Sequence, residues 1–306
     1  MLGIYELTIF LAAAETENFS KAARRLNLSQ PAVSMQIRTM EQELGITLFH
    51  RAGRTLALTE QGKALVPMAR DLVKRSLQVE EEIEVLKGEV VGHLKIGCST
   101  TTGKYYLPML IARFRQRYPR VQVTIYNDSQ TKISASLCDG EIHLSVMSAR
   151  PFCADAKYHH FFDDYVVLVV GPDHLWAERD SIAPKELSGA NFILRDTQSG
   201  TREEVNRALN KVGITLDDLN LAMEIGNTEA ISMAVEEGIG AAFISRVVAR
   251  RGIELGRLKE VRVTGLSLHR KIFIAYSRRH PSTRAQTAFW DFALEPENQT
   301  LLKTVV

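Results

Sequence analysis

No stretch of this sequence approaches the ~18 consecutive apolar residues that a membrane-crossing helix needs. The N-terminus has no basic segment followed by an apolar one. The expectation is a cytoplasmic protein with no membrane partner. Cysteine is scarce: Cys98, Cys138 and Cys153 are the three in 306 residues, an odd number with no CxxC pair. This argues against a disulfide framework or a zinc site, and reduced thiols are expected. Cys98 closes an apolar run and reads as a buried small hydrophobe. Charge of one sign is also lacking, with 38 Lys and Arg against 36 Asp and Glu and a net charge of +2. Even residues 1–60 balance at six against six, so net charge by itself points to no partner. HExxH, P-loop and GxSxG motifs are missing, and the eight histidines are scattered. His159 and His160 would point to opposite faces of a strand, a poor metal pair. Neither enzyme chemistry, a metal nor a resident cofactor is expected. The composition, 45% hydrophobic and 24% charged, is that of a globular protein, and the length suggests two or three domains.

Local pattern carries more than composition. From Asn18 to Arg51 the chain reads as two short helices with a tight turn, followed by a small hairpin. Ser20 is a candidate N-cap for the first, with Ala22, Ala23 and Leu26 inside it. Pro31 suits the first turn of the second. Val33, Ile37, Met40 and Leu44 then recur at spacings of four, three and four, one face of a helix, and Gly45 follows as a C-cap. The opposite face carries Pro31, Ala32, Ser34, Met35, Arg38, Thr39 and Gln42. It is small, polar or basic, with no acid before Glu41, as a helix in the DNA major groove requires. Lys21, Arg24, Arg25 and Arg38 add positive charge, and Arg51-Ala52-Gly53-Arg54 makes a basic hairpin tip. An amphipathic helix pair with a solvated polar face has the same pattern.

The run F-S-x-A-A-x-x-L-x-L-S-Q-P-A-V-S-x-Q-I-x-x-M-E-x-E-L-G-x-x-L-F-x-R, from Phe19 to Arg51, resembles the winged helix-turn-helix of LysR-type transcriptional regulators without a gap. The resemblance implies double-stranded DNA as a partner. It places Gln30, Pro31, Ala32, Ser34 and a wing arginine, Arg51 or Arg54, at the DNA surface. The full candidate DNA-facing set is Ser20, Lys21, Ser29, Gln30, Pro31, Ala32, Ser34, Met35, Arg38, Arg51 and Arg54. Met35 stands where many members carry Arg or Lys, so an apolar contact to a thymine methyl is expected there.

Around this stretch, residues 3–15 read as a first helix with Ile4, Leu7, Leu11 and Ala14 facing the core. Residues 59–88 read as one long helix capped by Thr59. In it Leu65, Ala69, Leu72, Ser76, Val79, Ile83 and Leu86 form an a/d seam suited to dimerisation. The acidic run Glu80-Glu81-Glu82-Glu84 reads as a solvated face near its end. Residues 88–92, Gly-Glu-Val-Val-Gly, have the look of a hinge. Beyond them strands and helices alternate. Strands are expected at Leu94–Cys98, Val121–Tyr126, Ile142–Met147, Val166–Val170, Asn191–Leu194, Gly240–Ile244 and Lys271–Ala275. Helices are expected at Tyr106–Tyr118, about 130–138, from Thr201, and over Thr228–Glu237. Such alternation implies α/β units with mostly parallel sheets.

Further motifs extend the resemblance to nearly full length: Leu137-x-x-Gly140-Glu141-Ile142-His143-Leu144, Pro172-x-His174-Leu175, Arg195-Asp196-Thr197-Gln198-Ser199-Gly200-Thr201-Arg202 and Glu236-Glu237-Gly238-Ile239-Gly240. The implied fold is an α+β multidomain one. A winged helix-turn-helix (1–58) and a linker helix (59–88) precede an effector domain (89–306) like a periplasmic binding protein. Its subdomains cover about 93–165 with 268–306, and 166–267, so the chain crosses near 165 and 267. Family tetramers through the effector domains and contact with RNA polymerase are implied as well. STTTGKYYLP and RDTQSGTR resemble the branch that regulates carbon fixation and sulfur assimilation.

Three strand-to-helix junctions share one chemistry: Ser99-Thr100-Thr101-Thr102-Gly103, Ser199-Gly200-Thr201-Arg202 and Gly226-Asn227-Thr228. Free N–H groups and hydroxyls at helix starts bind anions, and such junctions gather where ligands bind in open α/β sheets. Plain N-capping explains any one of them. Together with Ser148 they give the candidate effector set Ser99, Thr100, Thr101, Thr102, Ser148, Ser199, Thr201, Arg202, Asn227 and Thr228, with Arg202 pairing an anionic metabolite. The favoured function is a ligand-responsive DNA-binding regulator, binding an interrupted inverted repeat as a dimer. The alternative is a solute-binding or enzymatic α/β protein with a helical N-terminus that does not bind DNA.

Overall fold

A computed structural model describes residues 2–52, 55–86 and 89–303. The chain divides into two compact units, Met1–Glu89 and Val90–Val306.

The first unit begins with helix α1 (Ile4–Thr16), α2 (Phe19–Leu26) and α3 (Gln30–Leu44), followed by the hairpin β1 (Phe49–Ala52) and β2 (Thr55–Leu58) and the long α4 (Glu60–Leu86). The cap of α2 is Asn18, not Ser20: its Oδ1 accepts from the amides of Ser20 and Lys21 at 2.9 and 3.0 Å. Ser20 therefore lies inside the first turn. The buried face of α1 also differs from the expectation. Leu7, Ile9, Phe10, Ala12 and Ala13 are buried, whereas Ile4 is exposed and Leu11 and Ala14 are only partly covered. Three helices, α2, α3 and α4, pack on α1 at once, with Phe49 of the wing against Phe10, which needs a wider stripe than a single heptad-like row. Val33, Ile37 and Met40 of α3 complete this core. Thr59 caps α4, accepting from Gly62 N at 3.0 Å. Leu65 and Ala69 pack onto the head, but Leu72 and Val79 are exposed. The side chains of Ile83 and Leu86 lie outside the described residues, as do those of the acidic run 80–84.

The second unit runs β3 (Gly92–Cys98), α5 (Leu107–Arg117), β4 (Val121–Asn127), α6 (Gln130–Cys138), β5 (Leu144–Met147) and β6 (Ala156–Val170). It continues through β7 (Ser181–Ile182), β8 (Asn191–Arg195), α7 (Gly200–Lys211), β9 (Asn220–Ile225), α8 (Thr228–Glu236), β10 (Ala241–Ser245) and α9 (Arg246–Glu254). The last elements are β11 (Lys259–Val263), β12 (His269–Ser277), α10 (Arg284–Leu294) and α11 (Pro296–Lys303). One sheet path runs β4-β3-β5-β12-β6-β10-β8-β9.

The expectation of mostly parallel strands fits only the outer trios. β3, β4 and β5 pair in parallel, and so do β8, β9 and β10, but every pair involving the crossing strands β6 and β12 along that path is antiparallel. The long β6 pairs with β12 over Ala156–Tyr165, then with β10 and β11 over Val166–Val170. One strand thus belongs to both halves, which puts the crossover at 165/166. Its first ten residues were not legible as a strand because Lys157–His160 is polar and exposed.

The expectation of three free thiols is corrected. Cys138 is bonded to Cys153, with Cα atoms 5.7 Å apart, and Cys98 alone remains free. A spacing of 15 residues matches no short motif; the pairing comes from the turn after β5 folding back along α6.

Candidate functional sites

Ser29 caps α3 by accepting from Ala32 N at 3.3 Å, Pro31 sits in the first turn, and Gly45 closes the helix at φ +67°. This local chemistry fixes where α3 begins and which side chains face outward. Gln30, Pro31, Met35 and Arg38 are exposed, Ala32 and Ser34 half-buried, and Ser20 and Lys21 exposed on α2 beside them. Met35 is 62% exposed, a large apolar side chain in water at the centre of the polar face. Glu41 does not face outward. Its Oε1 accepts from Leu48 N at 2.7 Å and Phe49 N at 3.1 Å, so the acid at the end of α3 anchors the wing. Arg25 pairs with Glu15 at 2.5 Å, while Lys21, Arg24 and Arg38 have no carboxylate partner among the described residues. The backbone of Arg51 lies in β1, but its side chain, and all of Arg54, fall outside the described residues.

In the second unit a cleft of about 220 Å³ lies between the two halves, lined by Ser99, Thr100, Thr101, Ser199 and Thr201 from the expected set. It also takes Asp128, Ser129, Gln130, Arg195, Asp196, Gln198, Gly200, Gly226 and Arg270. Helix starts surround it. Ser129 caps α6, Ser199 caps α7, and Asn227 caps α8, accepting from Lys132 N, Thr201 N and Ala230 N respectively. A π-helical turn over Thr102–Tyr106 leads out of the Ser99–Thr101 junction into α5.

The cleft cations are Arg195 and Arg270, not Arg202. Arg202 donates to the carbonyl of Arg195 at 2.8 Å and pairs with Glu224, which turns it away from the lining. Asn227 is engaged in its cap, and Thr102 is buried with its hydroxyl 2.9 Å from that of Ser99. Ser148 donates to Gln130 at 3.0 Å, behind the wall. Thr228 is buried and accepts from Arg195 Nη1 at 2.5 Å, so it positions that guanidinium. Arg195 Nη2 donates to Asp196 at 3.3 Å, while its Nε is buried with no partner among the described residues. Burial holds the Arg195 guanidinium below the ordinary arginine value, with Asp196 opposing the shift.

Arg270 is 5% exposed and lies 2.8 Å from Asp164, which is 1% exposed. Its Nη1 donates to Thr201 at 2.9 Å. Tyr106 and Ser245 donate to the other carboxylate oxygen of Asp164 at 3.0 and 2.5 Å. Burial, with the carboxylate beside it, pushes the Tyr106 phenol far above its usual range, so it remains a donor. This network joins β6, β10, β12, α7 and the π-helical turn that leads into α5 behind the cleft. Arg195 was within reach of sequence reasoning, being the first residue of the RDTQSGTR run. Arg270 was not, because nothing local distinguishes one arginine in a strand from another.

A family model for the LysR substrate binding domain matches residues 87–296, and one for the bacterial regulatory helix-turn-helix protein of the lysR family matches residues 4–63. The chain belongs to the LysR family of transcriptional regulators. A probable RuBisCO transcriptional regulator of Cyanophora paradoxa is 33% identical over 93% of this chain and 89% of its own length. The RuBisCO operon transcriptional regulator of Allochromatium vinosum is 30% identical over 96% of each. Among solved structures, full-length CbnR complexed with its target DNA superposes with a TM-score of 0.68 at 20% identity, covering 95% of this chain and 99% of that one. That last likeness is one of fold. This LysR-type regulator thus combines a DNA-binding helix-turn-helix with an effector-binding domain.

Proposed function

We propose that this regulator reads an interrupted inverted repeat as a dimer, in the cytoplasm, and is switched by a small anionic metabolite in the cleft between Thr101 and Ser199. The observation that carries the ligand class is the convergence of helix starts on Arg195, whose Nε has no partner among the described residues. Asp128 and Asp196 also line the cleft, but each carboxylate is balanced by a cation, Lys132 at 3.4 Å and Arg195 at 3.3 Å. The helix starts then set the local sign, and a carboxylate or phosphoryl group complements them. The relatives' names favour carbon-fixation genes as the targets. The exposed Leu72 and Val79 favour α4 as the dimer contact, with tetramers forming through effector domains and RNA polymerase as the downstream partner.

Residues 90–306, a compact unit, provide the test by thermal melting against phosphorylated sugars, oxoacids, sulfate and nucleotides. A ligand at a hundred times its Kd stabilises by about 2.7 kcal/mol. Thr101→Val removes a donor while keeping shape and should abolish the shift. A hit that keeps its affinity in both Thr101→Val and Arg195→Met binds elsewhere.

A further inference from the structure

Gln130, Ser134 and Cys138 recur every four residues along α6 and so share one face. All three hold the segment that follows β5. Gln130 Oε1 accepts from Ala149 N at 2.7 Å and from Ser148 Oγ at 3.0 Å. Ser134 Oγ accepts from Phe152 N at 2.9 Å, and Cys138 is bonded to Cys153. The first of these ties belongs to the cleft: Gln130 lines it, and a Cβ on Gly200 would stand 2.3 Å from Ser148 Oγ and 3.0 Å from Gln130 Nε2. The third lies eight residues on, about 12 Å along the helix.

Both cysteines are half-buried, so small thiols can approach them. Cys98 is sealed, its thiol pushed up to about 12 by burial. A transcriptional regulator works where DNA is kept, and in such a reducing compartment a disulfide is transient and sensing, not a permanent staple. Cα atoms 5.7 Å apart let the bond form without backbone movement.

We infer that Cys138–Cys153 is a reversible redox latch on the effector domain. Closed, it fixes residues 148–153 along α6 and stiffens the support behind Gln130, which lines the cleft. Open, it leaves that support to hydrogen bonds alone. With glutathione disulfide as oxidant, one protein thiolate attacks a glutathione sulfur and expels one glutathione thiolate. The second protein thiolate attacks the mixed disulfide and expels the other. Two electrons pass to glutathione, and two glutathione thiols leave for each protein disulfide formed. The regulatory consequence rests on the reading of the cleft as the effector site; the latch does not.

The test uses the full chain, equilibrated in glutathione buffers from fully reduced to fully oxidised. Alkylation with mass mapping and amide exchange are read in parallel. The pair should pass reversibly between dithiol and disulfide within this range, with Cys98 unlabelled in the native protein throughout. Exchange at Ala149 and Phe152, whose amides are held by Gln130 and Ser134, should quicken by about tenfold or more on reduction. The doubly substituted Cys138→Ser, Cys153→Ser chain should exchange like the reduced protein at every ratio. The latch is overturned by a pair that stays bonded in every buffer, by one that never bonds, or by equal exchange in both states. Because the wild-type chain is its own comparison, a poorly folding variant does not blunt the result. Failure of the cleft reading would appear instead as an absent or misplaced ligand in the melting screen, with the latch still cycling.

Discussion

Arg270 and Asp164 form an ion pair that is almost sealed from water, and the cleft floor depends on it. Removing one partner of such a pair leaves a buried charge without compensation, at about 3–5 kcal/mol. Arg270→Ala should therefore lower the urea midpoint of the effector domain severely. Arg202, 18% exposed, pairs with Glu224, 42% exposed, and donates to the Arg195 carbonyl, an arrangement open to water on one side that contributes about 1–2 kcal/mol. Arg202→Ala should lower the midpoint far less than Arg270→Ala. Equal losses from the two substitutions would contradict this assignment of roles. The same contrast separates what a motif reveals from what it hides. RDTQSGTR contains both Arg195 and Arg202, and only the register of α7 decides which one faces the ligand space.

At the scale of elements, α4 divides its apolar residues between two tasks. Leu65 and Ala69 pack on the head, whereas Leu72 and Val79 are exposed large hydrophobics outside the head core. Introducing charge at both, as Leu72→Asp with Val79→Asp, places carboxylates in the proposed seam, where burial without a partner is unfavourable. Sedimentation should show loss of dimer in residues 1–89 while helicity is retained, since neither side chain supports the head core. A dimer that survives both changes excludes this stretch as the main contact. Periodicity revealed α4 and α3 well because each has one apolar stripe and a clear cap. It missed α9 and β11, which are short, β9, which is exposed, and α10, although Phe289 and Phe292 of that helix are buried. β9 is exposed along nearly its whole length, so it lacks the alternation that marks a half-buried strand. The disulfide was hidden for a related reason. Proximity of Cys138 and Cys153 follows from Gln130 and Ser134 holding the turn after β5, a tertiary effect with no trace in cysteine spacing.

In the whole molecule a DNA reader is joined to an effector-binding domain. A ligand can change DNA binding only by favouring one arrangement of subunits or subdomains over another. The reading head is the part on which everything downstream depends. Its specificity should come from Ser34 and Met35 near the start of α3, with phosphate contacts from Lys21 and Arg38 setting position. The most direct measurement is selection of binding sites from random duplex DNA by the full chain, repeated with Ser34→Ala. The wild type should select an interrupted inverted repeat. The variant should show a changed base preference at one symmetric pair of positions. A selected profile without two-fold symmetry, or one that Ser34→Ala leaves unchanged, would contradict the assignment of α3 as the recognition helix.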